Sequence, residues 1–244
     1  MIKVSYDLHI HSCLSFCAND EMTPRSIALL ANMVGLDVVA VTDHNTCKNV
    51  PAFFKAAEQT NIIAIAGLEL NTAEEIHTLC LFEELQAALE FEQEVVLPNR
   101  MNIRHKENMG NQFIMDENDN IIGKDSIWLA PATMLPLYEL SEKVNKYGGA
   151  IIPAHINRES WGLLSVLGDV PDDYGYGSVE IRKKDCRQGY EGEIEDLKKK
   201  YPYLNKCRII HNSDAHRLED ISLPVNFIEI EQKSAKNVIK CLKM

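Results

Sequence analysis

The apolar positions of this 244-residue chain fall in short blocks whose spacing alternates between strand and helix. "KVSYDLHIHS", near the start, alternates apolar and polar positions and predicts a strand. Such alternation puts Asp7, His9 and His11 on one face and Leu8 and Ile10 on the other. "TPRSIALLANMVG" has helical spacing with Thr23 as N-cap, Pro24 at the first helical position and Gly35 as the stop. "LDVVAVTDH" is a β-branched run and predicts a buried strand. "NVPAFFKAAEQT" predicts a helix with Pro51 in its first turn, where no N–H partner is lost. "NIIAIAGLELNT" and "EIHTLCLF" predict strands, and "EELQAALEFEQEV" a helix.

The pattern breaks at about Leu97. Residues 97–131 are rich in Asn, Gly, Asp and charge, with short apolar pieces such as "QFIM" and "NIIG", and predict an insertion within one domain spanning 1–244. After it come a helix over "ATMLPLYELSEKVNKYGG", strands at "AIIPAHI" and "GSVEI", a helix at "EIEDLKKKY", and strands at "RIIHNSDAH" and "VNFIEIE". Strands alternating with helices predict an α/β architecture of parallel strands, in number enough to close a barrel. In such barrels function gathers at the C-terminal ends of the strands.

The histidines test that expectation. His9 and His11 close the first strand, His44 the second and Glu69 the third; His77 lies in the fourth, His155 closes "IIPAH", and Asp214 and His216 close "NSDAH". Imidazole and carboxylate are the mixed nitrogen and oxygen donors that suit Zn, Mn or Fe. Six imidazoles with two or three carboxylates exceed the needs of one ion and predict two or three divalent ions, with Glu69 or Asp214 bridging. His105, in the insertion, and His211, which alternation turns away from Asp214, predict ordinary surface or core histidines.

Composition narrows the partners. With 25 basic and 36 acidic residues the formal charge is −11, which disfavours long nucleic acid, whose binding rests on phosphate neutralisation. No apolar run is long enough for a membrane span, and the first residues hold histidines and acids where a signal peptide is apolar. Seven cysteines, an odd number at irregular spacing, fit a reducing compartment, so a cytoplasmic protein is expected. Cys13 and Cys17 are the two that lie near the histidine pair.

The motifs "DLHIHS", "AVTDHNT", "GLEL" followed by "HTLCLF", "IPAHINR" and "NSDAH", in this order, resemble those of the PHP (polymerase and histidinol phosphatase) superfamily, and most closely its stand-alone bacterial members. The resemblance implies a distorted (β/α)7 barrel with a trinuclear metal site and hydrolysis of phosphoesters by a metal-bridging hydroxide. It assigns His9, His11, Glu69 and Asp214 to a first ion, Glu69, His77 and His155 to a second, and His44 and His216 to a third. The third ion also needs a ligand from the loop after the first strand. There the family has Asp or His where this chain has Asn19, so Asp20 is the expected substitute. Arg158 in "HINR", and secondarily Arg182, are the expected phosphate-binding groups, since a guanidinium can hold two oxygens at once. Arg104 and His105 are candidates for a lid, and Trp161 for a stacking surface.

The leading expectation is a metal-dependent phosphoesterase acting on a small phosphomonoester or a short nucleotide. The alternatives are an exonuclease on short oligonucleotides, a histidinol-phosphate phosphatase, a hydrolase of carbon–nitrogen bonds and a non-catalytic metal-stabilised scaffold.

Overall fold

A computed structural model describes residues 1–171, 174–183 and 190–244. The first strand, β1 (Ile2–Ile10), leads through a loop into α1 (Pro24–Val34). Helix α1 carries the expected punctuation: the Thr23 hydroxyl accepts from the Ser26 N–H, and Gly35 turns left-handed at φ 88°, a conformation open to a residue without Cβ. Then follow β2 (Val38–Val41), α2 (Val50–Ala57), β3 (Ile63–Asn71) and β4 (His77–Phe82). Helix α3 (Leu85–Phe91) widens into a π turn at Glu92–Val96 and ends in the short α4 (Leu97–Asn99).

Residues 97–131 add no strand to the main sheet, and the apolar pieces within them pair as a hairpin of β5 (Phe113–Met115) and β6 (Ile121–Lys124). The chain returns through α5 (Leu137–Lys146), β7 (Ala150–Pro153), α6 (Leu163–Leu167), β8 (Ser178–Glu180), α7 (Tyr190–Lys200), β9 (Arg208–Ile210), β10 (Phe227–Ile230) and α8 (Ala235–Leu242).

Six strands form one sheet in the order β10-β1-β2-β3-β4-β7. β1, β2 and β3 run parallel, whereas β4 is antiparallel to both β3 and β7, and β10 is antiparallel to β1. The antiparallel β4 departs from strict strand–helix alternation. A tight turn, with the Thr72 N–H donating to the Ile76 carbonyl at 3.0 Å, replaces a crossover helix there. The parallel pair β8 and β9 continues the curl. The Ile156 N–H, just past β7, donates to the Glu180 carbonyl at 2.9 Å, and the His11 N–H donates to the Ala215 carbonyl beyond β9 at 2.9 Å. The result is the distorted, curled α/β sheet expected for a barrel-like fold.

Apolar side chains fill the inside of the curl: Val4, Tyr6 and Leu8 of β1 meet Val38, Ile65, Leu79 and Ile152. The amphipathic α8, which the block pattern did not predict, packs its Val238, Ile239 and Leu242 into this cluster where the strands begin, and the Ser178 hydroxyl donates to the Leu242 carbonyl at 2.7 Å. A plug at the strand starts leaves the strand ends for polar groups.

Strand β1 does not alternate uniformly. Its register with β2 shifts between Asp7 and Ile10, the mark of a β-bulge, which re-aims the side chains beyond it. Leu8 therefore points into the curl while Ile10 packs outside against Ile27, Val41 and Phe53. Asp7 parts company with the histidines: its carboxylate accepts from the Ser213 and Ser222 N–H groups at 3.1 Å each and never reaches the imidazoles. The expectation that Asp7, His9 and His11 share one face is corrected by the bulge.

Gly67 sets how closely β3 and β4 approach. A Cβ there would lie 2.8 Å from the Cys80 carbonyl oxygen and 2.6 Å from Leu81 Cδ2. Overpacking at a site walled by backbone costs about 1–3 kcal/mol. Gly67→Ala is therefore expected to lower the free energy of urea unfolding by that amount, and an unchanged midpoint would refute the tight approach.

Candidate metal centre

Glu69 stands at the end of β3, fully buried, and five imidazoles converge on its carboxylate. His77 Nδ1 lies 2.9 Å, His155 Nε2 3.2 Å and His9 Nε2 3.3 Å from Oε1; His44 Nδ1 lies 3.0 Å and His11 Nε2 3.3 Å from Oε2. Asp214 adds a second carboxylate, with Oδ1 at 3.4 Å from His9 Nε2 and 3.3 Å from His11 Nε2. His216 sits beside His11, with ring centres 4.3 Å apart. All eight of the strand-end His, Glu and Asp residues expected to gather do so.

Three of the imidazoles, His9, His11 and His216, are aimed by a hydrogen bond at the far side of the ring, which sets the nitrogen left for a ligand. His9 Nδ1 donates to the Glu180 carboxylate at 3.1 Å, so Nε2 faces the cluster. Glu180 is held in turn by the His155 N–H at 3.0 Å and the Asn212 amide at 2.7 Å. His11 Nδ1 donates to the Ser15 hydroxyl at 3.0 Å, which donates onward to buried Asp43 at 2.7 Å. His216 Nδ1 donates to the Asp214 carbonyl at 2.8 Å. The sequence reading did not single out Glu180 or Asp43. Their signal was a carboxylate at the C-terminal end of a strand, in "SVEI", and one inside "TDH".

Four left-handed, non-glycine residues frame the site: His155 at φ 29°, Asp214 at 52°, Asn45 at 53° and Trp161 at 59°. Each such conformation costs on the order of 1–3 kcal/mol and persists where its surroundings over-determine it, which is characteristic of functional sites.

The donor set fits divalent cations. His9 Nε2 and His11 Nε2 face each other at 3.2 Å, a contact that needs a proton or a cation between the lone pairs. Glu69 Oε2 and His77 Nδ1 are buried without a hydrogen-bond partner. Three overlapping sets have ligand atoms within 4.8 Å of one another: His9, His11 and Asp214; His44, Glu69 and His77; and His11, Cys17, His44 and His216. The last set corrects the expectation for the third ion. Asp20 is exposed and turned away, its carboxylate accepting from the Asn111 amide at 2.8 and 2.9 Å, while Asn19 is bound through its backbone to the His216 carbonyl at 2.9 Å. The Cys17 sulfur, and not the Asp20 carboxylate, lies within 4.8 Å of nitrogens of His11, His44 and His216.

Electrostatics follow from burial in this crowd. Burial opposes charge on His11, but the Asp214 and Glu69 carboxylates outweigh it and hold the ring up to about 9. Burial instead dominates at His77, pushed down to about 4, and at His216, down to about 3, where His11 adds to the effect. Burial works to raise Glu69, but the facing imidazoles, His77 and His9 first, hold it well below the ordinary carboxylate range.

A cavity of about 210 Å³ opens over the cluster. Arg158 and Trp161 form one wall and Phe16 with Ala130 the other. The Arg158 guanidinium lies 3.5 Å from Asp214 Oδ2 and 5.2 Å over the Trp161 ring, which itself stacks on His77 at 5.3 Å. The insertion is sewn to the site through Asn45, whose amide donates to the Leu129 and Pro131 carbonyls, and this places Ala130 at the rim. Arg182 is not among the lining residues; its N–H and carbonyl both bond the Asn157 side chain. Arg104 and His105 also lie outside the lining: Arg104 bridges Ile127 and His105 bonds the Gly110 carbonyl. These contacts keep both candidates for a lid within the insertion, in line with the surface reading of His105. His211 bonds the Ile181 carbonyl at 2.8 Å, as a structural histidine does. The six described cysteines are free thiols; Cys186 lies outside the described residues. No described helix is long and apolar enough to cross a membrane.

Comparison with known proteins agrees with this geometry. Residues 7–240 match the family model of the PHP domain. An uncharacterized protein of Methanocaldococcus jannaschii is 32% identical over 98 residues, which cover 36% of this chain and 57% of that protein. Among solved structures, the lesion-specific endonuclease PfuEndoQ from Pyrococcus furiosus superposes over 99% of this chain and 56% of its own, with a TM-score of 0.70 and 21% identity. A structure from Bifidobacterium adolescentis, described as a candidate metal-dependent phosphoesterase, superposes over 97% of this chain and 95% of its own, with a TM-score of 0.61 and 15% identity. The chain thus spans little more than half the length of the curated relative and of the endonuclease.

Two outcomes test the centre. A ligating imidazole must be unprotonated, and His11 holds its proton at neutral pH in the ion-free site, so an incoming cation displaces it. Zn²⁺ affinity should rise as pH approaches about 9, and titration calorimetry in buffers of different ionisation enthalpy should register net proton release. Glu180→Gln should weaken Zn²⁺ binding about 10–100-fold while circular dichroism stays native, because it removes the carboxylate charge behind His9 and one of the two acceptor oxygens that His9, His155 and Asn212 share.

Proposed function

Because the chain belongs to the PHP family, we propose that it is a metal-dependent phosphoesterase acting on a small phosphomonoester or a short nucleotide. The observation that carries this reading is the presence of the Arg158 guanidinium and the Glu69-centred donor cluster in one small cavity. A dianionic phosphate needs both a cationic fork for its free oxygens and metal ions at the reacting ones.

His9, His11, Glu69, His77, His155 and Asp214, with His44 and His216, would hold two or three divalent ions such as Mn, Zn or Fe. When bound, the ions supply Lewis acidity toward the phosphoryl oxygens and activation of water at neutral pH. Glu180, Asp43 and Ser15 keep the imidazole nitrogens aimed. Arg158, reaching from the turn after His155, binds the phosphate's outer oxygens, and its stacking on Trp161 limits the positions it can take. Trp161, 41% exposed, offers a flat wall to the group the phosphate is attached to. The walls of Phe16 and Trp161 restrict the site to small substrates or to the end of a short strand, consistent with a net charge of −11 that disfavours long polyanions.

The exposed Trp161 ring also favours a second reading, an exonuclease that stacks a terminal base of a short oligonucleotide. A hydrolysis screen separates the two. Protein stripped of metal and reloaded with Mn²⁺, Zn²⁺ or Fe²⁺ should release phosphate from an aryl monoester faster than it cleaves an aryl diester or an oligonucleotide. His9→Ala should abolish this. Arg158→Ala should lower kcat/KM about 100-fold with metal content unchanged. A diester preference would select the nuclease, and no turnover by protein that carries its ions would sink both.

A further inference from the structure

The loop after β1 is pinned along its length. The Ser12 N–H and hydroxyl both donate to Asp43, at 2.8 and 2.6 Å, and the Ser15 hydroxyl donates to the same carboxylate. The Asn19 N–H donates to the His216 carbonyl, and the Phe16 ring stacks on His44 at 5.3 Å. Between these anchors the Cys17 sulfur reaches the cavity and falls within 4.8 Å of nitrogens of His11, His44 and His216. The set has no carboxylate, since Asp20 is engaged with Asn111. Beside it the buried Glu69 Oε2 faces His44 Nδ1 at 3.0 Å and His11 Nε2 at 3.3 Å without a well-aligned hydrogen bond to either, a second sign that a cation belongs here.

We propose that Cys17 is a metal ligand, and that the His11, Cys17, His44 and His216 position is therefore selective for a thiophilic divalent cation, Zn²⁺, Co²⁺ or Fe²⁺, over Mn²⁺. The Cys17 thiolate with the His44 and His216 imidazoles, joined by His11 Nε2 when the neighbouring position does not take it, is a donor set of the kind Zn²⁺ takes, whereas Mn²⁺ prefers oxygen. The two neighbouring sets each contain a carboxylate, Asp214 or Glu69, and accept harder ions. The centre is thereby chemically asymmetric: one position chooses its metal by softness and the others do not. On binding, the S–H bond breaks, the proton leaves to buffer and the metal–sulfur bond forms; no oxidant or reductant is involved. The inference rests on the metal-binding reading of the site and not on the phosphoester reaction.

The test uses Co²⁺ alone as a probe on the intact chain. Bound Co²⁺ should show sulfur-to-cobalt charge-transfer absorption in the near ultraviolet. The band should vanish in Cys17→Ser and Cys17→Asp and survive in Cys207→Ser, whose thiol lies away from the cavity. Cys17→Asp should also lower the Zn²⁺ to Mn²⁺ affinity ratio at least about tenfold. In the wild-type protein, Zn²⁺ should protect Cys17 from alkylation, read by mass spectrometry without any variant. Bound Co²⁺ with no band, or a band that persists in Cys17→Ser, would overturn the role of Cys17 and leave the metal centre standing. Failure of the wild-type chain to bind Co²⁺ at all would overturn both.

Discussion

One buried carboxylate organises this molecule. Glu69 is fully enclosed, yet five imidazoles stand within 3.3 Å of its two oxygens. An isolated charge in that position would be prohibitively costly, so its surroundings must supply positive charge, as protonated rings or as metal ions. The five rings come from four segments distant in sequence: β1 and the residue after it, the end of β2, the start of β4 and the turn after β7. Bringing them to one oxygen pair requires the sheet to curl. The tight passage of β3 past β4 at Gly67 and the apolar plug of α8 at the opposite end both serve that curl.

The bulge in β1 shows how local geometry is spent on chemistry. A regular strand would have buried Asp7 beside the imidazoles and sent Leu8 and Ile10 to one common face. The register shift lets Leu8 fill the interior, Ile10 anchor the helices outside, and His9 and His11 both face the cluster. Asp7 is released to tie β1 to the segment carrying Asp214, through the Ser213 and Ser222 backbone. Four strained backbone positions around the site tell the same story, since their cost of a few kcal/mol is borne by the packing around them.

Behind the ligands lies a layer that the reaction would not touch but depends on. Glu180 aims His9 and pins the His155 backbone, and the Asp43–Ser15 relay aims His11. In front lies a narrow mouth in which Arg158, Trp161 and Phe16 meet an edge of the insertion at Ala130. The insertion contributes shape to this mouth, and its Arg104 and His105 stay out of it.

The α/β class, the helix and strand order, the helix caps at Thr23 and Gly35, and the eight strand-end His, Glu and Asp residues that gather were legible in the sequence. Each rests on a local rule: periodicity, a cap residue, or a polar residue ending an apolar run. The family resemblance drew on the same local motifs. What the tertiary structure alone decided depends on through-space distance. The bulge that separates Asp7 from His9 leaves no mark in a pattern of period two. Helix α8 is short, and its value comes from the opening it fills. Asp20 and Cys17 are both polar residues in one loop, and only the pinning of that loop to Asp43 and His216 turns the carboxylate toward Asn111 and the thiol toward three imidazoles. The sequence determined which donors the protein has; the fold decided which of them meet.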